Sequence, residues 1–341
     1  MLQGYVLGGT NGHLVPVSCM DLYYPGSTVA SIVHEAHLVS ADLNRNILLW
    51  NPSEIRNPVG NLQGSHSVCQ KLQFSKTDPF KVYAACHKDI LVWDVRNSHQ
   101  PLHVWKIGIE NISSFDLSES DNYLAISNDT TNIFFFSTID GSLIYTKPTL
   151  HTDSVTDLKF RPNKKLNQII SGSLDGSMLF TDWSQRGIAK AILDLSDYQD
   201  IDDLIDSEDD SSDTSSNSLL NILSNPPQIR CLACNDVGTN LVTGLHNGSL
   251  MTFNIDSKNP TQIETINCHS GVINCVTFVH DSYILSGGQD CMLTCLKLDP
   301  NGYQQRILND RPVRQIQAKS LSKVFVIDST RHIYMFDISH M

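Results

Sequence analysis

One pattern recurs along the whole chain and limits how it can fold. Each copy is a short apolar run that ends in Trp, or in a residue that takes its place, followed by a polar residue. The Trp positions are 50, 93, 136, 181, 253, 296 and 336, so successive copies lie 43, 43, 45, 72, 43 and 40 residues apart. A period of about 40–45 residues indicates one four-stranded antiparallel sheet per repeat, and such sheets assemble as blades around a ring. We therefore predict an all-β protein of seven blades. The copies are ILLWN (47–51), ILVWDVR (90–96), IFFFS (133–137), MLFTD (178–182), LMTFN (250–254), MLTCLK (292–297) and IYMFD (333–337).

The interior of a repeat is clearest in the fourth and sixth copies. In the fourth, the alternating strand in LHTDSVTDLKF (150–160) precedes QIISGSLDGSMLFTD (168–182), which reads as two strands joined by a turn. The sixth copy repeats this order over residues 268–297. About four residues follow the last copy, too few for another strand. We therefore expect the N-terminal strand, about residues 2–8, to complete the seventh blade, because an open edge strand would pair with other chains.

The repeat length, the strand order and the Gly12-His13 pair ahead of the first copy resemble the WD40 repeat family. The resemblance implies a single seven-bladed WD40 β-propeller over residues 1–341, closed by its N-terminal strand. Propellers of this family present rigid loops for binding other proteins.

Two groups of residues have the composition of a Ser/His/Asp triad. In a WD40 blade, these residue types at these offsets form a structural tetrad with the Trp, which ties together a loop, a strand and a turn. The resemblance therefore implies a structural role, and we expect no enzyme, since a catalytic triad is defined by its geometry rather than by residue types. The Trp is retained only at Trp50 and Trp93. The two groups are His151, Ser171 and Asp175, and His269, Ser286 and Asp290.

No metal or cofactor site is expected. Cys231 and Cys234 form a C-x-x-C pair, but they lie in an expected strand, where residues three apart point to opposite faces. The glycines of GGTNGH (8–13) do not match a phosphate-binding loop and precede no helix. A small-molecule substrate is not expected either.

The long step between the fourth and fifth copies contains an acidic insertion, residues 194–226. Its first part, DLSDYQDIDDLIDSEDDSSD (194–213), holds ten carboxylates and no base. A segment of such charge cannot bury enough apolar surface to offset the entropy lost on ordering, so we predict disorder. It is either a solubilising loop or a regulated one. Ser207 precedes Glu208-Asp209-Asp210, an acidophilic-kinase context, so it is a candidate phosphorylation site.

Composition excludes several classes of protein. No apolar run approaches the ~18 residues that span a bilayer, and the N-terminus has no signal-peptide pattern. Nine cysteines without a secretion signal indicate reduced thiols and a cytoplasmic or nuclear location. A net charge of −12 without a concentrated basic segment argues against a nucleic-acid partner.

The second copy, ILVWDVR, differs from the others because Arg96 follows Trp93-Asp94 by two places. We expect Trp93 to pack between blades and Arg96 to lie where the third strand ends. A lone arginine there is usually a solvated edge charge. W-D-x-R at a blade end, however, resembles the motif by which many WD40 proteins engage the DDB1 adaptor of cullin-4 ubiquitin ligases, which implies an adaptor-binding role for Trp93, Asp94 and Arg96.

The chain as a whole is similar to a branch of the WD40 family whose members are proposed substrate receptors of cullin-4 ligases. The resemblance implies a non-enzymatic receptor that recruits an unidentified protein substrate. The alternative is a general scaffold, or a reader of peptides such as histone tails, unconnected with ubiquitin ligases. The features that carry the resemblance are YAACHKDILVWDVR (83–96), the acidic insertion followed by LLN (219–221), SYILSGGQDCMLTCLKLD (282–299) and VFVIDSTRHIYMFDI (324–338).

Overall fold

A computed structural model arranges the chain as seven antiparallel sheets of four strands each. It describes residues 4–7, 11–23, 37–52, 57–108, 111–162, 167–184, 189–195, 227–257, 260–298 and 304–339. The acidic insertion from residue 196 onward, including Ser207, lies outside the described residues. No helix among the described residues is long and apolar enough to cross a membrane.

The first four blades follow one another along the chain, and each places its strands in sequence order from the ring axis outward. Blade one consists of β2 (Val17–Tyr23), β3 (His37–Asp42), β4 (Ile47–Trp50) and β5 (Gly60–Leu62). Blade two consists of β6 (Cys69–Phe74), β7 (Lys81–Cys86), β8 (Asp89–Asp94) and β9 (His103–Lys106). Blade three consists of β10 (Ile112–Leu117), β11 (Tyr123–Asn128), β12 (Asn132–Ser137) and β13 (Leu143–Pro148). Blade four consists of β14 (Val155–Phe160), β15 (Gln168–Ser173), β16 (Ser177–Asp182) and β17 (Ala189–Asp194).

The last three blades include the one that closes the ring. Blade five consists of β18 (Ile229–Cys234), β19 (Asn240–Leu245), β20 (Ser249–Asn254) and β21 (Thr261–Asn267). Blade six consists of β22 (Ile273–Val279), β23 (Tyr283–Gly288), β24 (Met292–Lys297) and β25 (Gln304–Leu308). Blade seven consists of β26 (Gln315–Ser320), β27 (Lys323–Ile327), β28 (Ile333–Phe336) and the N-terminal β1 (Gly4–Val6).

The closure of the ring agrees with the expectation from the sequence. β1 pairs antiparallel with β28, with Gly4 opposite Phe336 and Val6 opposite Tyr334. Each inner strand packs beside the inner strand of the next blade, and β26 of blade seven packs beside β2 of blade one. The predicted seven-bladed propeller closed by its N-terminal strand is therefore confirmed.

The burial of each strand follows its distance from the ring axis. The second strands of blades one to six share one pattern, in which every residue after the first is buried. The outermost strands are mostly exposed, as in β13 and β21. Apolar side chains from neighbouring blades form shared clusters, so the core is a set of inter-blade seams rather than one centre.

A β-bulge recurs near the start of the inner strand in six blades. The pairing with the second strand shifts after the first inner-strand residue, as between Val155 and Asp157. A bulge bends a strand and re-aims its side chains. In this ring, the residues that follow the bulge line the central channel: Cys19, Lys71, Ser114, Asp157, Cys231 and Cys275.

Candidate functional site

The two ends of each blade carry different connections. Because neighbouring strands run antiparallel, the first-to-second and third-to-fourth turns lie at one end, which we call the lower face. The second-to-third turns and the links between blades lie at the other end, which we call the upper face. The candidate residues from the sequence divide between these two faces.

Blade one contains a complete polar tetrad on the upper face. Trp50 Nε1 donates to Ser40 Oγ at 2.8 Å, and His13 Nε2 lies 2.7 Å from the same oxygen. His13 Nδ1 lies 2.8 Å from Asp42 Oδ2. All four groups are satisfied when Nδ1 carries the proton, because Nε2 then accepts from Ser40 and Nδ1 donates to Asp42. Burial lowers the pKa of His13, although Asp42 opposes this effect.

Ser40 and Asp42 were not among the residues singled out from the sequence. Ser40 lies ten residues before Trp50, the same offset that separates Ser171 from Thr181, and this spacing could have identified it. Asp42 is two residues after its serine, whereas Asp175 is four after Ser171. Asp42 ends β3 itself, so the four-residue offset seen in blade four does not identify it.

The structure brings His151, Ser171 and Asp175 together in blade four, with one addition. His151 Nε2 lies 2.9 Å from Ser171 Oγ, but its Nδ1 is closer to Ser177 Oγ (2.7 Å) than to Asp175 Oδ2 (3.5 Å). Ser177 Oγ in turn donates to Asp175 Oδ1 at 2.6 Å. Ser177 therefore mediates the contact between histidine and carboxylate.

Blade six brings His269, Ser286 and Asp290 together directly. His269 Nε2 lies 2.8 Å from Ser286 Oγ, and Nδ1 lies 2.9 Å from Asp290 Oδ1. Burial alone would raise the pKa of Asp290, but hydrogen bonds from His269 and from the Ser270 amide hold it below its usual value. Leu296 occupies the Trp position, so this cluster has no indole donor and consists of three residues.

The distances in these clusters match a catalytic triad, but their placement does not. Ser40, Ser171 and Ser286 are each 0% exposed, so no substrate can reach their hydroxyl oxygens. The clusters instead join three chain segments of one blade: the link from the preceding blade, the second strand and the turn after it. Their role is structural, since buried polar groups need partners.

Cys231 and Cys234 both lie on β18, where Cys231 is buried and Cys234 is partly buried. Burial raises the pKa of Cys231 and raises that of Cys234 to about 12, so both thiols stay protonated at neutral pH. Within the described part of the chain, no group of three His, Cys, Asp or Glu residues has a metal-binding arrangement.

Arg96 lies on the lower face, in the turn that joins β8 to β9. Its Nε donates to Asp94 Oδ1 at 2.8 Å and its Nη2 donates to Asp94 Oδ2 at 2.5 Å, a two-pronged pair. The guanidinium carbon lies 4.3 Å from the centre of the Phe80 ring. The hydrogen bond from Arg96 lowers the pKa of Asp94. The arginine is thus held in one orientation by the carboxylate at the end of β8 and by a ring from the β6–β7 turn.

Arg96 nevertheless remains open to solvent. Its side chain is 61% exposed, against 25% for Asp94. Its Nη1 makes no hydrogen bond to any residue that the structure describes. One edge of a fixed guanidinium therefore faces outward, which is an arrangement that suits a carboxylate or carbonyl on another protein.

Trp93, one residue before Asp94, lies in the apolar core between two blades. It is 0% exposed and packs in the apolar seam between blades one and two, as the sequence predicted. Its Nε1 donates to the Gln63 carbonyl at 2.9 Å, because Ala84 occupies the strand position that Ser40 has in blade one. Trp93 therefore cannot touch a partner itself, and the exposed part of the motif is limited to Asp94 and Arg96.

The central channel encloses a cavity of about 750 Å³. Its charged side chains form a network across blades, in which Lys71 Nζ donates to Ser114 Oγ at 2.7 Å and lies 3.4 Å from Asp157 Oδ1. Five acidic and five basic side chains line the cavity, so their formal charges cancel. They are Asp21, Asp116, Glu119, Asp157 and Asp236, and Lys71, Lys76, Lys159, Arg230 and Arg314.

A comparison with protein families finds two matches to the WD domain, G-beta repeat, at residues 141–182 and 260–295. Each match runs from the outer strand of one blade, or the turn before it, through the first three strands of the next. The repeat is therefore offset from the blade by one strand, which is why the N-terminal strand completes blade seven. Two such repeats in a seven-bladed ring support the WD40 family, whose propellers act as protein-interaction scaffolds.

Proposed function

We propose that this propeller is a substrate receptor of a cullin-4 ubiquitin ligase and that it docks on the DDB1 adaptor through the lower face of blade two. In this proposal the exposed edge of Arg96 contacts the adaptor. The upper face, or the mouth of the channel, holds the protein to be modified, and the complex works in the cytoplasm or nucleus.

The observation that carries the proposal is the preorganisation of Arg96. A free arginine loses side-chain entropy when it binds, but this one is already oriented by Asp94 and by the Phe80 ring. Among the seven third-strand ends, only this one pairs Trp-Asp with an arginine two residues later. The whole-chain resemblance to WD repeat-containing protein 53 supports the same assignment.

The direct test is recovery of the purified adaptor on immobilised propeller. Wild type and Arg331→Asp are expected to retain the adaptor, because Arg331 is an exposed arginine in the β27–β28 turn, on the opposite face. Arg96→Asp is expected to lose it, and Arg96→Lys to bind weakly, because lysine cannot reproduce the two-pronged pair. Equal recovery of the adaptor by folded Arg96→Asp and by wild type would refute the proposal.

A second candidate is a general scaffold or a peptide reader that uses the channel. The cavity of about 750 Å³ is large enough for a short peptide segment and favours this alternative. Its balanced charges do not favour a strongly basic tail over other sequences. Failure of the adaptor to bind wild-type protein under any condition tested would leave this candidate as the better assignment.

A further inference from the structure

A second concave site lies on the lower face, between blades two and three. It is a groove of about 380 Å³, separate from the central channel. One wall comes from the β6–β7 turn and the starts of β7 and β9, and the other from the β10–β11 and β12–β13 turns. Its lining residues are Ser75, Thr77, Asp78, Lys81, Tyr83, Val92, His103, Trp105, Ser120, Asp121, Asn122, Thr138 and Ile139.

The floor of the groove holds two aromatic residues with unused polar atoms. Tyr83 is 3% exposed and Trp105 is 7% exposed, and their ring centres lie 6.1 Å apart. Neither the Tyr83 hydroxyl nor the Trp105 indole N–H makes a hydrogen bond to a described residue, and neither of these polar atoms is sealed from solvent. Buried tyrosine and tryptophan normally find such a partner. Both polar groups are therefore available to a ligand in the groove.

One side of the groove carries an exposed apolar side chain on a turn that is fixed in place. Ile139, at 80% exposed, is the most exposed large apolar side chain among the described residues. The turn that carries it closes on Trp105 at Gly141, where the backbone φ is +70° and a Cβ would overlap the indole. His103 stacks on the same tryptophan, with ring centres 6.0 Å apart.

The charge of the groove is negative near the tyrosine. The Asp121 carboxylate is fully used by Ser75, Thr77 and the Lys76 amide, so it contributes its field but no free oxygen. Asp78 is less committed: its Oδ1 accepts the Phe80 amide at 3.0 Å, and its Oδ2 lies 3.8 Å from Lys81 Nζ. Burial, followed by the charges of Asp121 and Asp78, raises the pKa of Tyr83 to about 12.

From this arrangement we infer that the groove between blades two and three binds an arginine side chain from an extended segment of a partner protein. The apolar stem packs on Ile139 and Trp105. The guanidinium reaches Asp78 and donates to the Tyr83 hydroxyl, displacing Lys81 from its long contact with the same carboxylate. Arginine fits better than lysine because its planar head both stacks on aromatic rings and pairs with a carboxylate through two bonds. The inference does not depend on adaptor binding at Arg96.

The test uses the full chain with N-acetyl-arginine amide as the probe. Four tryptophans give four indole N–H signals in protein labelled with ¹⁵N-tryptophan, and Trp105→Phe identifies the one from the groove. Titration should shift that signal in a saturable way and leave the other three in place. N-acetyl-citrulline amide, which has nearly the same shape without the charge, should cause no comparable shift.

Three variants make the test specific. Tyr83→Phe removes one oxygen, and Asp78→Asn keeps an acceptor for the Phe80 amide, so both variants should fold. Each should weaken probe binding about tenfold, which is the usual effect of losing a hydrogen bond to a charged group. Lys81→Ala should strengthen binding severalfold, because it removes the competing cation.

The inference is overturned by equal shifts with the arginine and citrulline probes, or by unchanged affinity in folded Tyr83→Phe and Asp78→Asn. Weaker binding in Lys81→Ala would also contradict it. Tyr83→Phe leaves Asp94, Arg96 and the charges beside them unchanged, so adaptor recovery on this variant separates a failure of this site from a failure of the proposed ligase role.

Discussion

Blades one and two both retain the tryptophan of the repeat, but they use it in different ways. In blade one, Trp50 begins a chain of hydrogen bonds that runs through Ser40 and His13 to Asp42, all within the buried part of the blade. In blade two, Trp93 bonds only to a backbone carbonyl. The charged group of blade two, Asp94 with Arg96, faces outward on the other end of the blade.

The difference comes from two positions of the second strand. In blade one, β3 carries Ser40 and ends at Asp42, whose Oδ1 also accepts the amides of Asn44 and Asn46. At the equivalent positions of β7, blade two has Ala84 and Cys86, which offer neither a hydroxyl nor a carboxylate. The polar side chains of the blade-one tetrad are hydrogen-bonded to one another inside the blade, whereas the Asp94–Arg96 pair of blade two is open to solvent.

The largest loss of stability is expected when the hydrogen-bonded tetrad of blade one is broken. Asp42→Ala leaves the His13 ring N–H and the amides of Asn44 and Asn46 without an acceptor, and should lower the free energy of unfolding by about 3 kcal/mol or more. Urea denaturation measures this value. Asp153→Ala, at an exposed position on the same face, should change it little. A similar small change in both variants would mean that the tetrad does not stabilise the blade.

A smaller difference in stability is expected between substitutions at the two tryptophans. Both substitutions lose the same ring volume, and each loses one hydrogen bond besides. For that bond, Trp50→Phe should lower the free energy of unfolding by about 2 kcal/mol, because the buried Ser40 loses its donor. Trp93→Phe should lower it by about 1 kcal/mol, because water can reach the backbone carbonyl that is left unpaired. Both variants are compared by the same denaturation assay. A larger loss at Trp93 would reverse the contrast between the blades.

The pH dependence of stability should come partly from blade one. Burial lowers the pKa of His13, so below about pH 6.5 the unfolded chain takes up a proton that the folded blade resists, and stability falls as the pH falls. Denaturation at pH 7, 6 and 5 should show this slope. His13→Gln should have a shallower slope, and an equal or steeper slope would contradict the pKa direction.

The smallest effect is expected at the exposed pair of blade two. Arg96→Ala should leave the unfolding midpoint nearly unchanged, since exposed ion pairs contribute little to stability. Arg161→Ala is the matched contrast, because Arg161 is buried and donates to the Gly238 carbonyl at 2.7 Å. A marked loss of stability in Arg96→Ala would indicate that the pair serves the fold rather than a partner.

The period of the repeat was sufficient to predict the seven blades, the closing strand and the burial of Trp93, because each follows from one-dimensional spacing. Ser177 and Asp42 escaped prediction because they lie six and two residues after the serine of their blade, whereas Asp175 and Asp290 lie four residues after theirs. The groove at Tyr83 and Trp105 also escaped, because it forms between blades, where residues far apart in the repeat come together. Such contacts depend on how neighbouring sheets pack, and no periodicity records them.

The central claim is that folding leaves Arg96 free to bind a partner. Its most direct test is the dissociation constant of the purified DDB1 adaptor for wild type and for Arg96→Asp, measured on proteins with matching unfolding midpoints. The account predicts binding at least about a hundredfold weaker in the variant, the loss expected when a charged contact at an interface centre is reversed. Equal affinity for both proteins would contradict it.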